Sequence, residues 1–283
     1  MKSLLFLYFC VAMAFSAMAS SVSDTYVIPN PQQMVCGDGH FVLRAQASFS
    51  CNLTGTDKDD FVSYVSNSPF ALTYKKKGKA DIVFKLVSPE SAKMKEEAYR
   101  LKVTKKGIQA EATSASGLFY AFQSIVQLAR EGGNGTYQLP EVTIEDAPRF
   151  SYRGMHLDVS RHFYTKEFVK KQIDALARYK LNRFHWHLTD GAGWRIEIKK
   201  YPELTRETAY RPFPDWKSWW NGGRTYCRQD APGASGGYYT QEDVKEIVEY
   251  ARQRHITVIP EIEMPAHSEE VLAALPQLAC GGD

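Results

Sequence analysis

Cysteine is scarce in this chain: five in 283 residues, at Cys10, Cys36, Cys51, Cys227 and Cys280, with no pair in C-x-x-C spacing. That excludes the paired-thiolate signatures of zinc modules and thioredoxin-like redox sites. An excess of charge of either sign is also missing. Thirty-five basic residues face 32 acidic ones, a net charge of +3, so there is no electrostatic case for a nucleic-acid partner. No glycine-rich phosphate loop follows a predicted strand, which removes the usual signal of a nucleotide cofactor. The longest apolar stretch near the start, Leu4 to Phe15, is too short to span a bilayer.

What is present begins with export. Lys2, that apolar run and the small-residue triplet Ala17-Met18-Ala19 before Ser20 form a signal-peptide pattern, with a site suited to cleavage after Ala19. Residues 1–22 are therefore set aside, Cys10 with them, and the mature protein is expected to be periplasmic, cell-surface or secreted. In such a compartment disulfides are permitted. Cys36 and Cys51 flank a hairpin-like stretch, so a bridge there is one expectation and four buried thiols the other. Aromatic residues make up 13% of the chain, enough to supply stacking surfaces for sugar rings as well as an ordinary core.

The rhythm of the chain changes near Asp146-Ala147-Pro148, which divides it into residues 23–147 and 148–283. In the first part Ala80 to Val87 reads as a strand. Tyr99, Leu101 and Val103 alternate into Lys105-Lys106-Gly107, beyond which Ile108, Ala110 and Ala112 alternate again, the pattern of a hairpin. Ser114 then caps an amphipathic helix carrying Leu118, Ala121, Phe122, Ile125 and Leu128, ended by Glu131 to Gly135, and Tyr137 to Ile144 returns as a strand. This is a small α+β domain with packing roles.

After Pro148 apolar strands at Gly154 to Val159, Asn182 to Leu188 and Ile256 to Ile262 alternate with helices at Thr165 to Tyr179 and Thr240 to Arg254. Inward positions are Phe168, Ile173, Leu176 and Ala177 on the first helix, and Val244, Ile247, Val248 and Ala251 on the second. Strands alternating with helices predict a parallel sheet, as in a barrel or a doubly wound fold. Polar residues follow each strand: Ser160-Arg161-His162, Thr189-Asp190, and Glu263 with His267. In a (β/α) barrel those positions share the catalytic rim. The segment from Pro202 to Gly237, with Trp216, Trp219, Trp220 and Tyr226, is long for a connection and suits a binding wall. His185 and His187 fall on one strand face. No third ligand is evident beside them, so they read as interior hydrogen-bonding histidines, and no metal or cofactor is expected.

Three motifs carry a resemblance to a known family: Arg153-Gly154-Met155-His156-Leu157-Asp158-Val159-Ser160-Arg161-His162-Phe163, then His185-Trp186-His187-Leu188-Thr189-Asp190 with Gly193-Trp194-Arg195, then Pro260-Glu261-Ile262-Glu263-Met264-Pro265-Ala266-His267. In order and position they resemble the first three barrel strands of the β-N-acetylhexosaminidases of glycoside hydrolase family 20, and residues 23–147 resemble the α+β domain that precedes the barrel there. The resemblance implies an α/β chain: that domain followed by roughly three units of a (β/α)8 barrel, since a whole barrel needs about 250 residues.

It further implies an exo-acting hydrolase that removes terminal β-linked N-acetylhexosamine from oligosaccharides or glycans with retention of configuration. The substrate's own acetamido oxygen attacks the anomeric carbon, an Asp steadies the cyclic cation, and the adjacent Glu serves as acid and then base. On this resemblance Arg153 grips sugar hydroxyls, Asp190 sits beside the acid, and His267 joins the same network. Glu263 stands, with Ala266, where Asp and Gly are commoner. Asp158 and Arg161 read as structural residues near the rim. The Gly-Gly-Asp-Glu motif bearing the catalytic pair is absent from these 283 residues, and Cys280-Gly281-Gly282-Asp283 is not it. The 283 residues alone are thus expected to be inactive and poorly soluble, with an open sheet exposing unpaired backbone. The rival readings are a carbohydrate-binding protein on a degenerate barrel and a purely structural surface module.

Overall fold

The computed structural model describes residues 25–281. The expected signal peptide lies outside them. The first half is built from strands β1 (Gln33–Leu43), β2 (Ser48–Cys51), β3 (Thr73–Tyr74), β4 (Ile82–Leu86), β5 (Tyr99–Thr104), β6 (Gly107–Ala112), β7 (Arg130–Gly133) and β8 (Thr136–Asp146), with helices α1 (Gly55–Ser66), α2 (Pro89–Ala92) and α3 (Ala115–Leu128). They form one eight-stranded sheet in the order β1-β8-β5-β6-β4-β2-β3, with β7 on β8. The predicted hairpin is there, Thr104 opposite Gly107. The Ser114 hydroxyl accepts from Gly117 N–H and starts α3, whose Leu118, Ala121, Ile125 and Leu128 are buried against the sheet.

The helix ends at Leu128, and Arg130–Gly133 then pairs as a strand, because the left-handed residues Gly133, Asn134 and Gly135 turn the chain back onto β8. One expectation fails for a reason of topology. Cys36 and Cys51 do not bridge, and all four described cysteines are free. Consecutive in sequence, β1 and β2 are separated by four strands in the sheet, so their cysteines lie roughly 24 Å apart along it, far beyond disulfide reach.

The second half holds β9 (Gly154–Asp158), α4 (Lys166–Arg178), β10 (Arg183–His187), β11 (Thr189–Asp190), β12 (Gly193–Trp194), α5 (Glu203–Thr208), β13 (Tyr210–Arg211), α6 (Trp216–Asn221), β14 (Ser235–Gly236), α7 (Gln241–Arg252), β15 (Thr257–Glu261) and α8 (Glu269–Ala274). Strands β15, β10 and β9 form a parallel three-stranded sheet in that order. Thr165 caps α4, and a reciprocal Thr240–Asp243 capping box starts α7. Val169, Ile173, Leu176 and Ala177 bury one face of α4, as do Ile247 and Ala251 on α7. Phe168 instead stacks on Tyr164, and Val248 is exposed at the margin of its stripe.

A buried polar seam joins the halves. Lys180 Nζ reaches Tyr99 Oη at 2.7 Å and Asp146 Oδ2 at 3.1 Å, and Gln127 Nε2 donates to the Arg178 carbonyl. Such groups are tolerated in a core only when paired. The architecture is mixed α/β with a distinct N-terminal sheet domain.

Candidate active site

The parallel register puts the chemistry at one end of the sheet. Asp158, His187 and Glu261 are neighbours across β9, β10 and β15 at their C-terminal ends, and the loops that follow carry Arg161, Asp190, Glu263 and His267. Asp190 is the centre. Its carboxylate is almost fully buried, and Oδ2 lies 2.6 Å from Arg161 Nη2, 3.2 Å from His187 Nε2 and 3.4 Å from His267 Nδ1. Arg161 also holds Asp158 at 2.9 Å, while Asp158 Oδ1 accepts the backbone N–H groups of Ser160 and Arg161 and shapes the turn that presents the guanidinium.

Behind Asp190 a second layer fixes His187. Its Nδ1 is 2.8 Å from Glu261 Oε1, and Glu261 Oε2 lies 2.5 Å from His185 Nε2 and 3.6 Å from His156 Nε2. Burial alone would lower the His187 pKa. Hydrogen bonds to Asp190 and Glu261 outweigh it and push the imidazole up to about 9. Burial likewise favours neutral Glu261, but bonds from His187 and Glu263 and the charge of the histidines hold it down at about 2. His187 is therefore an imidazolium bridging two carboxylates at neutral pH.

Arg195 and Arg211 lock the loops. Wholly buried, Arg195 donates to the carbonyls of Ser160 (2.7 Å), Gly237 (3.2 Å) and Ala209, and Ser160 Oγ donates to those of Asp190 and Gly193. Arg211 donates to the Arg161 carbonyl at 2.7 Å, and the Tyr226 hydroxyl to that of Gly191. Buried Trp194 donates from Nε1 to the Ile196 carbonyl. Backbone that binds fixed donors in this way holds Asp190 without reorganisation cost.

Of the expected site residues, Asp190, Glu263 and His267 come together: His267 Nδ1 is also 3.9 Å from Glu263 Oε2, and Thr189 Oγ1 accepts from Glu263 N–H at 2.9 Å. Arg153 does not join them. It precedes β9, about 16 Å of strand from the rim. Its guanidinium is spent on Glu97 (3.0 Å), the carbonyls of Phe150 and Lys180, and the Tyr120 hydroxyl, all at the seam between the halves. The expectation that Arg153 grips sugar hydroxyls thus finds it at the seam with its donors engaged, whereas Arg161, read as structural, stands at the rim. The signal in the sequence was that Arg161 follows the strand and Arg153 precedes it.

Possible ligand atoms of His156, His187 and Glu261 lie within 4.8 Å of one another, a grouping hidden from sequence because it spans three strands. Their geometry is that of an ion-paired network.

Comparison with known proteins gives the family. Residues 150–283 match the glycosyl hydrolase family 20 catalytic domain, and residues 24–147 match domain 2 of the same family. A β-hexosaminidase of Porphyromonas gingivalis is 48% identical over 193 residues, covering 66% of this chain and 23% of its own length. A β-hexosaminidase of Vibrio furnissii is 38% identical over 265 residues, covering 92% and 41%. The solved structure of a Vibrio harveyi exo-β-N-acetylglucosaminidase in complex with N-acetylglucosamine superposes with a TM-score of 0.75 at 34% identity, covering 92% of this chain and 40% of that one. The class is a mixed α/β protein with a network of carboxylates, histidines and an arginine at the ends of parallel strands. The chain belongs to glycoside hydrolase family 20 and spans well under half the length of these relatives.

Proposed function

We propose that this chain belongs to an exo-acting β-N-acetylhexosaminidase, which cleaves terminal β-linked N-acetylhexosamine with retention through the substrate's own acetamido group. The observation that carries the reading is the single carboxylate oxygen of Asp190, gathered by Arg161, His187 and His267 at the strand ends. That oxygen is surrounded by donors on three sides. Placed beside a general acid, it raises that acid's proton affinity and keeps it loaded at neutral pH, as protonation of a leaving oxygen requires.

His267, half exposed, is the group of this network that faces outward and can relay a hydrogen bond to the acid. Arg161 presents a planar fork suited to neighbouring hydroxyls of the terminal sugar, with Asp158 and Asp190 holding its orientation. The acetamido oxygen closes on the anomeric carbon, and the gain comes from holding it there: well-oriented intramolecular reactions reach effective molarities of about 10⁵ to 10⁸ M. The proposed steps call on acid–base chemistry and the substrate's own acetamido group. The fold reading that goes with this is three units of a (β/α)8 barrel, and the export reading places the protein outside the cytoplasm.

The test compares aryl N-acetyl-β-glucosaminide with aryl β-glucoside on the protein at its natural length. Cleavage of the first alone, with β-configured product at first turnover by NMR, is expected; equal cleavage of both sinks the acetamido mechanism. The 283 residues by themselves are expected to turn over neither, because the Asp-Glu pair is not among them.

A further inference from the structure

The strand face beneath Asp190 holds more imidazole than the acid network uses. Parallel register sets His156 beside His185 and His187 beside Glu261. Alternation turns these four side chains to one face, while Phe184 and Trp186 are buried on the other. The His156 ring lies 4.7 Å from that of His185 and 5.4 Å from that of His187, each pair meeting edge to face. Sequence spacing showed His185 and His187 without a third ligand. Across the strands, Glu261 stands among all three rings.

Three imidazoles around one carboxylate exceed what an ion pair needs, and their contacts are short but oblique. His187 Nδ1, on a side chain only 4% exposed, lies 2.8 Å from Glu261 Oε1, and Glu261 Oε2 lies 2.5 Å from His185 Nε2. Yet neither Nδ1 nor Oε2 has an aligned hydrogen-bond partner among the described residues. Buried polar atoms are ordinarily paired, so these two point to an occupant. The spacing suits a cation. Ligand atoms of His156, His187 and Glu261 lie within 4.8 Å of one another, and His156 Nε2 is 3.6 Å from Glu261 Oε2. Zinc bonds of about 2.0–2.1 Å in a tetrahedron set ligand atoms about 3.3–3.4 Å apart. Half-exposed His156 has the freedom to close that difference. On its other side His187 Nε2 is 3.2 Å from Asp190 Oδ2, the carboxylate–histidine pairing that fixes the tautomer of a zinc-binding imidazole and leaves Nδ1 to the metal.

We infer that His156, His187 and Glu261 form a site for a divalent transition metal with the preferences of Zn²⁺, with His185 and Asp190 as outer partners. Two imidazoles and a carboxylate are a zinc donor set, and they disfavour Mg²⁺, which prefers oxygen alone. Binding exchanges one proton: the metal takes the Nδ1 lone pair of His187, and the proton held there in the metal-free protein leaves to solvent. The bound cation stands one imidazole ring from Asp190 and is coupled to the acid network through it.

The experiment uses the natural-length protein, stripped with a chelator and titrated calorimetrically at neutral pH with Zn²⁺ alone and with Zn²⁺ in excess Mg²⁺. The wild type is expected to bind one Zn²⁺ that Mg²⁺ does not displace. His185→Gln, which loses an outer partner, is expected to weaken that event about 10- to 100-fold, and His156→Gln, which loses a ligand, to weaken it at least as much. Co²⁺ in place of Zn²⁺ is expected to give a tetrahedral visible spectrum in the wild type that both variants lack. Absence of binding, displacement by Mg²⁺, or equal affinity and stoichiometry in wild type and variants overturns the site. Since the readout is metal binding and not turnover, the result stands whether or not the glycosidase reading does.

Discussion

Arg161 Nη2 lies 2.6 Å from Asp190 Oδ2, an ion pair across two strand ends in which the carboxylate is nearly buried and the guanidinium one-third exposed. The exposed share of Arg161 is what remains for a ligand. On the proposed function Arg161→Ala removes a sugar contact and at once takes from Asp190 its shortest partner, leaving His187 and His267. Its loss is expected to weaken N-acetylglucosamine binding by at least about 10-fold, and Arg161→Lys to recover little, because an ammonium cannot span Asp158 and Asp190 as the planar fork does. Calorimetric titration of both variants measures this. Undiminished affinity in Arg161→Ala returns the residue to a structural role.

Arg153 predicts the opposite pattern. Its pair with Glu97 is 15% and 18% exposed, and breaking a buried pair by removing one partner costs about 3–5 kcal/mol at the limit of full burial. Arg153→Ala should lower stability by about 2–4 kcal/mol in urea denaturation and leave sugar affinity as it was. A loss of affinity at unchanged stability would contradict the placement at the seam.

The contrast between these two arginines shows what could be read in the sequence. The hairpin, α3, α4, α7 and the three parallel strands announce themselves through local periodicity and caps, and Asp190, Glu263 and His267 follow because each comes just after a strand. Registry and pairing are not local. Which strand neighbours β1 depends on a crossover, so the Cys36–Cys51 bridge was an illusion of sequence adjacency. His156, His187 and Glu261 meet only because three strands align in register. Arg153 and Arg161 bracket one five-residue strand, and only its direction tells which faces the rim.

His187 makes the network sensitive to alkali. Its folded pKa, about 9, lies above the ordinary 6.5, so the stabilisation is fully present below about pH 6.5 and is lost as pH rises through 9. Denaturation midpoints should fall from pH 7 to 9.5, and His187→Gln, which keeps a donor but cannot titrate, should flatten that part of the curve. NMR of the imidazole reads the same event directly. A midpoint near 6.5 would show that Asp190 and Glu261 do not hold the proton.

Glu270 supplies a second, separable pH dependence. It is wholly buried at the start of α8, and neither carboxylate oxygen has a hydrogen-bond partner among the described residues. Burial first, then the charges of Asp190 and Glu269, push it up to about 8, so it is a neutral acid at pH 7. Because the folded pKa exceeds the ordinary 4.5, its contribution is whole below pH 4.5 and declines as pH rises to 8, where ionisation leaves a buried carboxylate without a partner. Glu270→Gln keeps the shape and removes the charge. The variant should therefore match wild type near pH 4.5 and exceed it by a few kcal/mol at pH 9, whereas Glu270→Ala, which also opens a cavity, should lose stability at acid pH. Urea denaturation of both variants across that range separates the two effects, and the paired His187→Gln/Glu270→Gln protein should show a smaller dependence between pH 7 and 9.5 than either single variant.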